Sequence, residues 1–250
     1  MPQEKILFAN ERGATLSGVW HHPFGGPRGA AILCHGMEST KNSEKLMQLA
    51  DALAERGILA LRFDFSYVGD SSGNLADITY SGEVADLRAA FELIARRSAG
   101  KVALFGSSMG GTVALLFAAQ EAAIAGVATL AAPLHPEKFP KRILTPEELR
   151  QWRTSGFTIY HGQRLNVSLL EDLEKIDVPA AARRIACPVL ILHGDRDEIV
   201  PVEEAYELYA CLPGAKQLSI FRGADHRLSG AGDMRLAMQE ALTWIVDSVG

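Results

Sequence analysis

Cysteine is scarce in this 250-residue chain, which contains only Cys34, Cys187 and Cys211. Three scattered thiols are too few for a disulfide framework and lack the close spacing of a thiolate zinc site. We therefore expect a reducing compartment, and the cytoplasm fits best. The start of the chain also lacks a basic segment followed by a long apolar run, so that we expect no signal peptide.

Long apolar runs and basic runs are missing as well. The longest apolar stretches, 109–119 and 122–134, are separated by two polar residues and fall short of the ~18 residues that cross a bilayer. The net charge of -5 argues against general affinity for nucleic acid or for anionic membranes. We expect small molecules as partners, with no nucleic acid and no membrane, and we leave a homodimer open.

Hydrophobic residues make up 48% of the chain, enough to bury a large core, and no long polar linker divides it. We therefore predict a single domain over residues 1–250. Apolar runs of strand length occur near 5–9, 14–20, 29–34, 58–64, 101–106, 125–131, 188–193 and 216–221. From the third onward most are almost wholly apolar, as expected of parallel strands covered on both faces. Segments of helical period lie between the later strands, near 43–56, 81–97, 110–121, 201–211 and 233–248.

The interval 133–184 breaks this alternation, because roughly fifty residues are too many for a structureless connection in a compact domain. The stretch 145–148 has the threonine, proline and glutamate of a capped helix start, and Ser168 with Glu171 repeats the capping-box spacing. Short β-like runs flank His161 and predict a hairpin. We predict two short helices and a hairpin, which together form a small lid.

The pentapeptide GSSMG at 106–110 lies between an apolar run and a helix-like segment. A serine hydroxyl is a poor nucleophile until a base removes its proton, and enzymes hold it on a sharp strand-to-helix turn facing that base. Ser108, at the centre of the motif, is the candidate nucleophile, whereas Ser107 is expected to support packing or a backbone contact. The motif alone is a modest signal, because the chain contains 23 glycines.

A base and an acid for this serine are expected beyond the last two strands, because catalytic groups collect at the carboxyl ends of strands in open α/β sheets. His226 follows the strand near 216–221, and Asp195 and Asp197 follow the strand near 188–193. The order serine, aspartate, histidine along the chain is one that occurs in serine hydrolases. The alternatives are a solvated acidic turn and an ordinary loop histidine.

These motifs make the chain resemble the α/β-hydrolases from end to end, and more narrowly the small cinnamoyl and feruloyl esterases. Five segments match in order: CHGM at 34–37, DFSYVGDSSG at 64–73, GSSMG at 106–110, HGDRDEIVP at 193–201 and DH at 225–226. The chain departs at Tyr67-Val68-Gly69, where related sequences usually read Gly-His-Gly. That difference concerns the pocket wall and leaves the triad intact.

The resemblance implies an α/β-hydrolase fold, with a mostly parallel eight-stranded sheet, helices on both faces and a small α/β lid at about 133–184. It favours Asp197 over Asp195 as the acid, because Asp197 stands three residues after Gly194, where the family places it. Ser108, Asp197 and His226 would then form a catalytic triad.

An oxyanion hole is expected from backbone amides, and Met109 should supply one because it follows the nucleophile. Met37 is implied as the second donor by the resemblance. His35 and Gly36 are candidate substrate-binding residues in the same loop. Tyr160 on the hairpin is a further candidate, with a solvent-exposed side chain as the alternative.

The resulting hypothesis is a carboxylesterase-type serine hydrolase that acts through an acyl-enzyme and needs no cofactor or metal. Its expected substrates are small esters of aromatic acids or of short-to-medium acyl groups. A thioesterase or a serine peptidase or amidase is the alternative within the fold, and a non-catalytic ligand-binding module is the alternative of another class.

Overall fold

Eight strands form one sheet in the computed structural model, which describes residues 1–97 and 100–250. The strands of this sheet are β1 (Gln3–Ala9), β2 (Thr15–His21), β3 (Gly29–Cys34), β4 (Ile58–Phe63), β5 (Val102–Ser107), β6 (Ile124–Leu130), β9 (Val189–Gly194) and β10 (Lys216–Phe221), in the order β1-β2-β4-β3-β5-β6-β9-β10. β2 pairs antiparallel with β1 and β4, and every other neighbour is parallel. The predicted mostly parallel eight-stranded sheet is confirmed.

Helices cover both faces of this sheet, which explains why its central strands are mostly apolar. The helices outside the connection from β6 to β9 are α1 (Glu44–Glu55), α2 (Tyr80–Arg97), α3 (Met109–Ala118), α8 (Val202–Cys211) and α9 (Asp233–Val249). α2, α3 and α8 bury residues such as Leu87 and Phe117 in one core. α1 and α9 bury residues such as Leu49 and Ile245 in a second core on the opposite face.

The most apolar of these helices, α3, is buried along all ten of its residues. It is therefore a core helix, packed against β5 and β6. Within residues 1–97 and 100–250, no helix combines the length and the apolar character that crossing a membrane requires.

The connection from β6 to β9 has a structure of its own. It contains a 3-10 turn (Pro136–Lys138), α4 (Phe139–Ile143), α5 (Pro146–Ser155), the hairpin strands β7 (Phe157–Tyr160) and β8 (Gln163–Asn166), α6 (Val167–Leu173) and α7 (Val178–Ala182). The predicted capping box is present, with Thr145 and Glu148 each bonding the other's backbone amide. The predicted hairpin turns at His161 and Gly162, whose φ angles of 48° and 77° match a tight two-residue turn.

Two expectations for this connection are wrong. Ser168 is not a helix cap, because α6 begins one residue earlier and its N-cap is Asn166, the last residue of β8. The strand runs directly into the helix and leaves no room for a separate cap. The connection also contains more helices than the two predicted. α4 and α7 were not predicted because each is only five residues long and shows no readable helical period.

Candidate active site

Ser108 occupies a sharp turn between β5 and α3. Its φ of 51° and ψ of -124° lie in a sparsely populated region for a residue with a side chain, at a cost of about 1–3 kcal/mol. Its amide donates to the carbonyl of Leu130 in the neighbouring strand at 2.7 Å, which holds the turn in place. The strained turn raises the serine above the carboxyl edge of the sheet.

The glycines of the motif are required by close backbone contacts around this turn. A Cβ on Gly106 would overlap the carbonyl of Gly110, and a Cβ on Gly110 would overlap the carbonyl of His35. Both positions therefore exclude any side chain. The pattern read in the sequence has a steric cause in the structure.

The structure brings together the three residues predicted to form a triad. His226 Nε2 lies 3.1 Å from Ser108 Oγ, and His226 Nδ1 lies 2.7 Å from Asp197 Oδ2. The two loops that carry Asp197 and His226 approach closely because Gly194 has no side chain, and a Cβ there would overlap the carbonyl of Ala224. A continuous hydrogen-bonded chain thus joins hydroxyl, imidazole and carboxylate.

The Asp197 side chain is fully buried and accepts several hydrogen bonds. Its Oδ1 accepts the amides of Ile199 at 2.9 Å and Val200 at 2.7 Å, and its Oδ2 lies 3.2 Å from His193 Nε2. Burial alone would raise the pKa of this carboxyl, but hydrogen bonds from His193 and His226 outweigh it and leave the pKa below its ordinary value. Asp197 is therefore a carboxylate at neutral pH and can stabilise a protonated His226.

Asp195 does not take part in this chain. It is exposed, and its Oδ1 accepts the amide of Gly223 at 2.6 Å, an interaction that joins the loops after β9 and β10. The residues alone left Asp195 open as the acid, and the structure pairs Asp197 with His226 instead. His193, by contrast, had no predicted role although it lies inside a matched motif.

The backbone amides of Met37 and Met109, the predicted oxyanion donors, lie in segments next to Ser108. Met109 opens α3, so that its amide has no partner within the helix. Gly36 packs against Ser108 so tightly that a Cβ at position 36 would lie 3.3 Å from Ser108 Cβ, and Met37 follows Gly36 directly. Among the residues that the structure describes, neither methionine amide donates to a protein acceptor. Both methionines line the same cavity as Ser108.

The prediction that His35 contacts substrate is wrong for its side chain, which is fully buried outside that cavity. Its Nδ1 donates to the carbonyl of Gly36 at 2.8 Å, and its Nε2 accepts the amide of Phe65 at 3.1 Å. Burial lowers the pKa of His35, in keeping with a neutral ring that donates from one nitrogen and accepts at the other. His35 fixes the loop that carries Gly36 and Met37.

The cavity above Ser108 has a volume of about 850 Å³. Gly36 and Tyr160 both line it, and their predicted role as substrate-binding residues stays a prediction. Tyr160 makes an edge contact with Phe139, at 5.5 Å between ring centres, and stacks on His161. One wall comes from the connection between β6 and β9, through Pro133, His135, Pro136, Phe139, Arg142, Tyr160, Leu169 and Leu173.

The unusual segment Tyr67-Val68-Gly69 has no part in this wall. Among the described residues that line the cavity, none comes from 67–69. The segment instead wraps around Asp64, since a Cβ on Gly69 would overlap the Asp64 carboxylate. The departure from the related sequences changes this loop and does not reach the reacting groups. In the same described part of the chain, no group of three or more metal-ligating side chains is assembled.

Lys45 was not identified from the sequence, yet it lines the cavity from α1. Its Nζ donates to Ser107 Oγ at 2.7 Å, which gives Ser107 a side-chain partner in place of the packing or backbone contact expected for it. Burial, and next the nearby Arg227, lower the pKa of Lys45 to about 8.

Comparison with known proteins agrees with this architecture. A family model described as an alpha/beta hydrolase domain matches residues 27–184. The chain belongs to the α/β-hydrolase family, and its relatives and structural neighbours include esterase and thioesterase enzymes. The resemblance drawn from the motifs is confirmed at this level.

Among curated proteins, the chain is similar to the palmitoyl-protein thioesterase ABHD10, mitochondrial, of Mus musculus, with 28% identity over 214 residues that cover 82% of this chain and 71% of the relative. That name places the relative in mitochondria, and a cytoplasmic location for this chain stays a prediction.

Two solved structures share the fold. Est1E from Butyrivibrio proteoclasticus with ferulic acid bound has a TM-score of 0.86 at 21% identity, covering 97% of this chain and 98% of its own. Mouse alpha/beta hydrolase domain-containing protein 10 has a TM-score of 0.82 at 21% identity, covering 95% and 96%.

Proposed function

We propose that the protein is a serine carboxylic ester hydrolase that acts through an acyl-enzyme on small esters. The observation that carries this proposal is the hydrogen-bonded chain from Ser108 Oγ through His226 to the buried carboxylate of Asp197. Serine becomes a nucleophile when its hydroxyl contacts one nitrogen of an imidazole and the other nitrogen of that ring contacts a carboxylate.

In the first half-reaction, Ser108 Oγ attacks the ester carbonyl while His226 Nε2 accepts the hydroxyl proton. Asp197 stabilises the imidazolium that forms, and the amides of Met37 and Met109 would donate to the oxyanion. Collapse of the tetrahedral intermediate breaks the bond to the leaving oxygen, which takes the proton from His226.

In the second half-reaction, a water molecule replaces the alcohol and attacks the acyl-enzyme. His226 accepts the proton of that water, and the same two amides receive the negative charge. The bond to Ser108 Oγ then breaks, its proton returns from His226, and the carboxylic acid leaves.

The acyl group is expected to be an aromatic acid or a short-to-medium chain. This is supported by the apolar wall around Phe139, Tyr160 and Leu169, and by Est1E, a protein of the same fold that is described with ferulic acid bound. We further propose that residues 133–184 act as a lid within one domain over residues 1–250, because they supply that wall.

Thioester hydrolysis is the second candidate, favoured by the relative named as a palmitoyl-protein thioesterase. The same triad can expel a thiolate, which needs less help from a proton donor than an alkoxide does. A pair of substrates with one acyl group, an oxygen ester and a thioester, separates the two by their kcat/KM values.

The test compares the purified protein with its Ser108→Ala variant on short-chain aryl esters. Ser248→Ala is the matched control, because Ser248 lies near the end of α9 and packs against Gly126, early in β6. We expect loss of hydrolysis in Ser108→Ala alone. Labelling of Ser108 by a fluorophosphonate separates an enzyme from a non-catalytic binding module, and equal hydrolysis by all three proteins would refute the proposal.

A further inference from the structure

The cavity has a second wall, which differs in character from the apolar one. Lys45 comes from α1, Arg227 from the loop after β10, and Arg235 from α9. We call these three residues the basic arm. They gather positive charge in the cavity of a protein whose net charge is -5.

Among residues 1–97 and 100–250, Lys45 has no carboxylate partner. Its Nζ contacts the neutral hydroxyl of Ser107, and within the described parts of the chain it forms no ion pair. An ammonium group has three N–H donors, and a cation withdrawn from water without a counter-charge is unfavourable. The described residues therefore provide no counter-charge for the Lys45 ammonium group and only one acceptor for its three N–H donors.

Two acidic residues also line the cavity, and one of them, Glu38, pairs with a member of the basic arm. Glu38 accepts from His161 at 2.6 Å and lies 3.6 Å from Arg227. Glu44 accepts from Gln48 at 2.9 Å on the exposed side of α1. Arg235, like Lys45, has no ion pair among the residues the structure describes. The basic arm thus keeps an excess of positive charge.

The position of the arm indicates which part of a substrate it would meet. His226 must deliver its proton to the leaving oxygen, so that the leaving group lies on the His226 side of Ser108. Arg227 is the next residue along the chain, and it is close enough to Lys45 to lower the pKa of that lysine. α1 and α9, which carry Lys45 and Arg235, pack on the face of the sheet opposite α2 and α3.

We propose that Lys45, with Arg227 and Arg235, binds an anionic group on the leaving group, so that the preferred substrates are esters whose alcohol part carries a carboxylate or a phosphate. Lys45 is the specificity-determining residue, because its Nζ contacts the hydroxyl of Ser107, the residue next to Ser108. This inference rests on the proposed ester hydrolysis.

The experiment uses aryl butyrates that differ only in a para substituent on the phenol: carboxylate, phosphonate or neutral carboxamide. A second pair places the charge on the acyl side, as a phenyl hemisuccinate and its neutral methyl ester. The kcat/KM of each ester, divided by its rate of hydroxide-catalysed hydrolysis, is measured for the wild type and for Lys45→Met, Lys45→Arg and Lys101→Met. Lys101 is an exposed control that precedes β5, at the opposite end of that strand from Ser108.

We expect the wild type and Lys101→Met to prefer an anionic leaving group by about 10- to 100-fold, the range of one charge-assisted hydrogen bond. Lys45→Met should lose this preference, measured as the ratio of the normalised kcat/KM for the anionic ester to that for the neutral ester. Lys45→Arg should retain part of the preference, which keeps the test valid if the methionine variant folds poorly. The carboxylate and phosphonate esters identify which anion is favoured.

An unchanged preference in Lys45→Met, no preference in the wild type, or a preference confined to the acyl-side anion would each overturn the inference. Failure of the underlying hydrolase proposal looks different, because Ser108→Ala would then retain activity on the neutral carboxamide ester.

Discussion

Replacing Lys45 by methionine should stabilise the protein at pH 7. The side chain is partly buried, and its ammonium group faces a hydroxyl and not a carboxylate. Methionine has nearly the same length and carries no charge, so the substitution removes an unpaired cation without opening a cavity.

The magnitude follows from the pKa and from one hydrogen bond. Lowering the pKa of Lys45 from 10.5 to about 8 corresponds to about 3 kcal/mol between its charged and neutral forms. Access of water to the cavity reduces this figure, and the Ser107 hydroxyl loses a partner at a cost of about 1 kcal/mol. We expect the free energy of unfolding to rise by about 1–2 kcal/mol at pH 7.

The stabilisation should depend on pH with a defined sign. Between about 8 and 10.5, the unfolded chain keeps the Lys45 proton while the folded protein releases it. Wild-type stability therefore gains a favourable contribution as pH rises through this window, and the gain is complete above 10.5. The methionine variant lacks that contribution, so that its advantage is largest at pH 7 and falls to within about 0.5 kcal/mol near pH 10.

Urea unfolding at pH 7, 8.5 and 10 measures the difference, because all other titrating groups are shared by the two proteins. Lys101→Met serves as the control, since this lysine is exposed and should change stability by less than about 0.5 kcal/mol at each pH. A methionine variant that is less stable than wild type at pH 7, or a difference that does not vary with pH, would refute the reasoning.

Three further outcomes are expected in the active site. Asp197→Asn should lower kcat by about 10³- to 10⁴-fold with little change in KM, because the asparagine amide cannot stabilise a protonated His226; steady-state kinetics on an aryl ester measures this, and a loss below tenfold contradicts it. Asp195→Asn should stay within about twofold of wild type in the same assay, since the asparagine oxygen can still accept the Gly223 amide. Gly110→Ala should abolish fluorophosphonate labelling, because its Cβ would overlap a backbone carbonyl of the loop after β3; full labelling would show that the turn tolerates a side chain.

Much of the fold was predictable because its determinants are local in the sequence. β3, β5 and β9 are buried along their whole length, since helices cover both of their faces, and the sequence shows this as nearly continuous apolar runs. The motif around Ser108 could be recognised in the sequence because the turn excludes side chains at positions 106 and 110, so that both must be glycine.

The choice between Asp195 and Asp197 could not be made from the local sequence alone. Both residues stand in one loop, two positions apart, and the residues alone allow either to face a histidine. The bend after β9 and the amides of Ile199 and Val200 decide the matter, and those contacts form only in the folded chain. The resemblance to a family favoured Asp197 by position, without this physical reason.

The same limit explains His35, Lys45 and Ser168. A histidine beside an oxyanion loop reads as a substrate contact, yet whether its ring points to the cavity or to the core depends on the packing of Phe65. Lys45 belongs to a helix start rich in polar residues, where nothing in the sequence separates a buried lysine from a solvated one. Ser168 has the spacing of a cap, but the strand before it already supplies one.

Two unfavourable local features of this protein, at Ser108 and Lys45, lie at the carboxyl edge of its sheet. The backbone at Ser108 costs about 1–3 kcal/mol and the Lys45 cation about 1–2 kcal/mol, a substantial part of the 5–15 kcal/mol that usually separates folded from unfolded domains. The turn cannot relax, because Gly110 packs directly on a neighbouring backbone, whereas nothing in the packing requires a charge at position 45. Stability and activity should therefore change in the same direction for Gly110→Ala and in opposite directions for Lys45→Met on anionic esters. This difference would show that the fold requires glycine at position 110, whereas the charge at position 45 serves only the reaction.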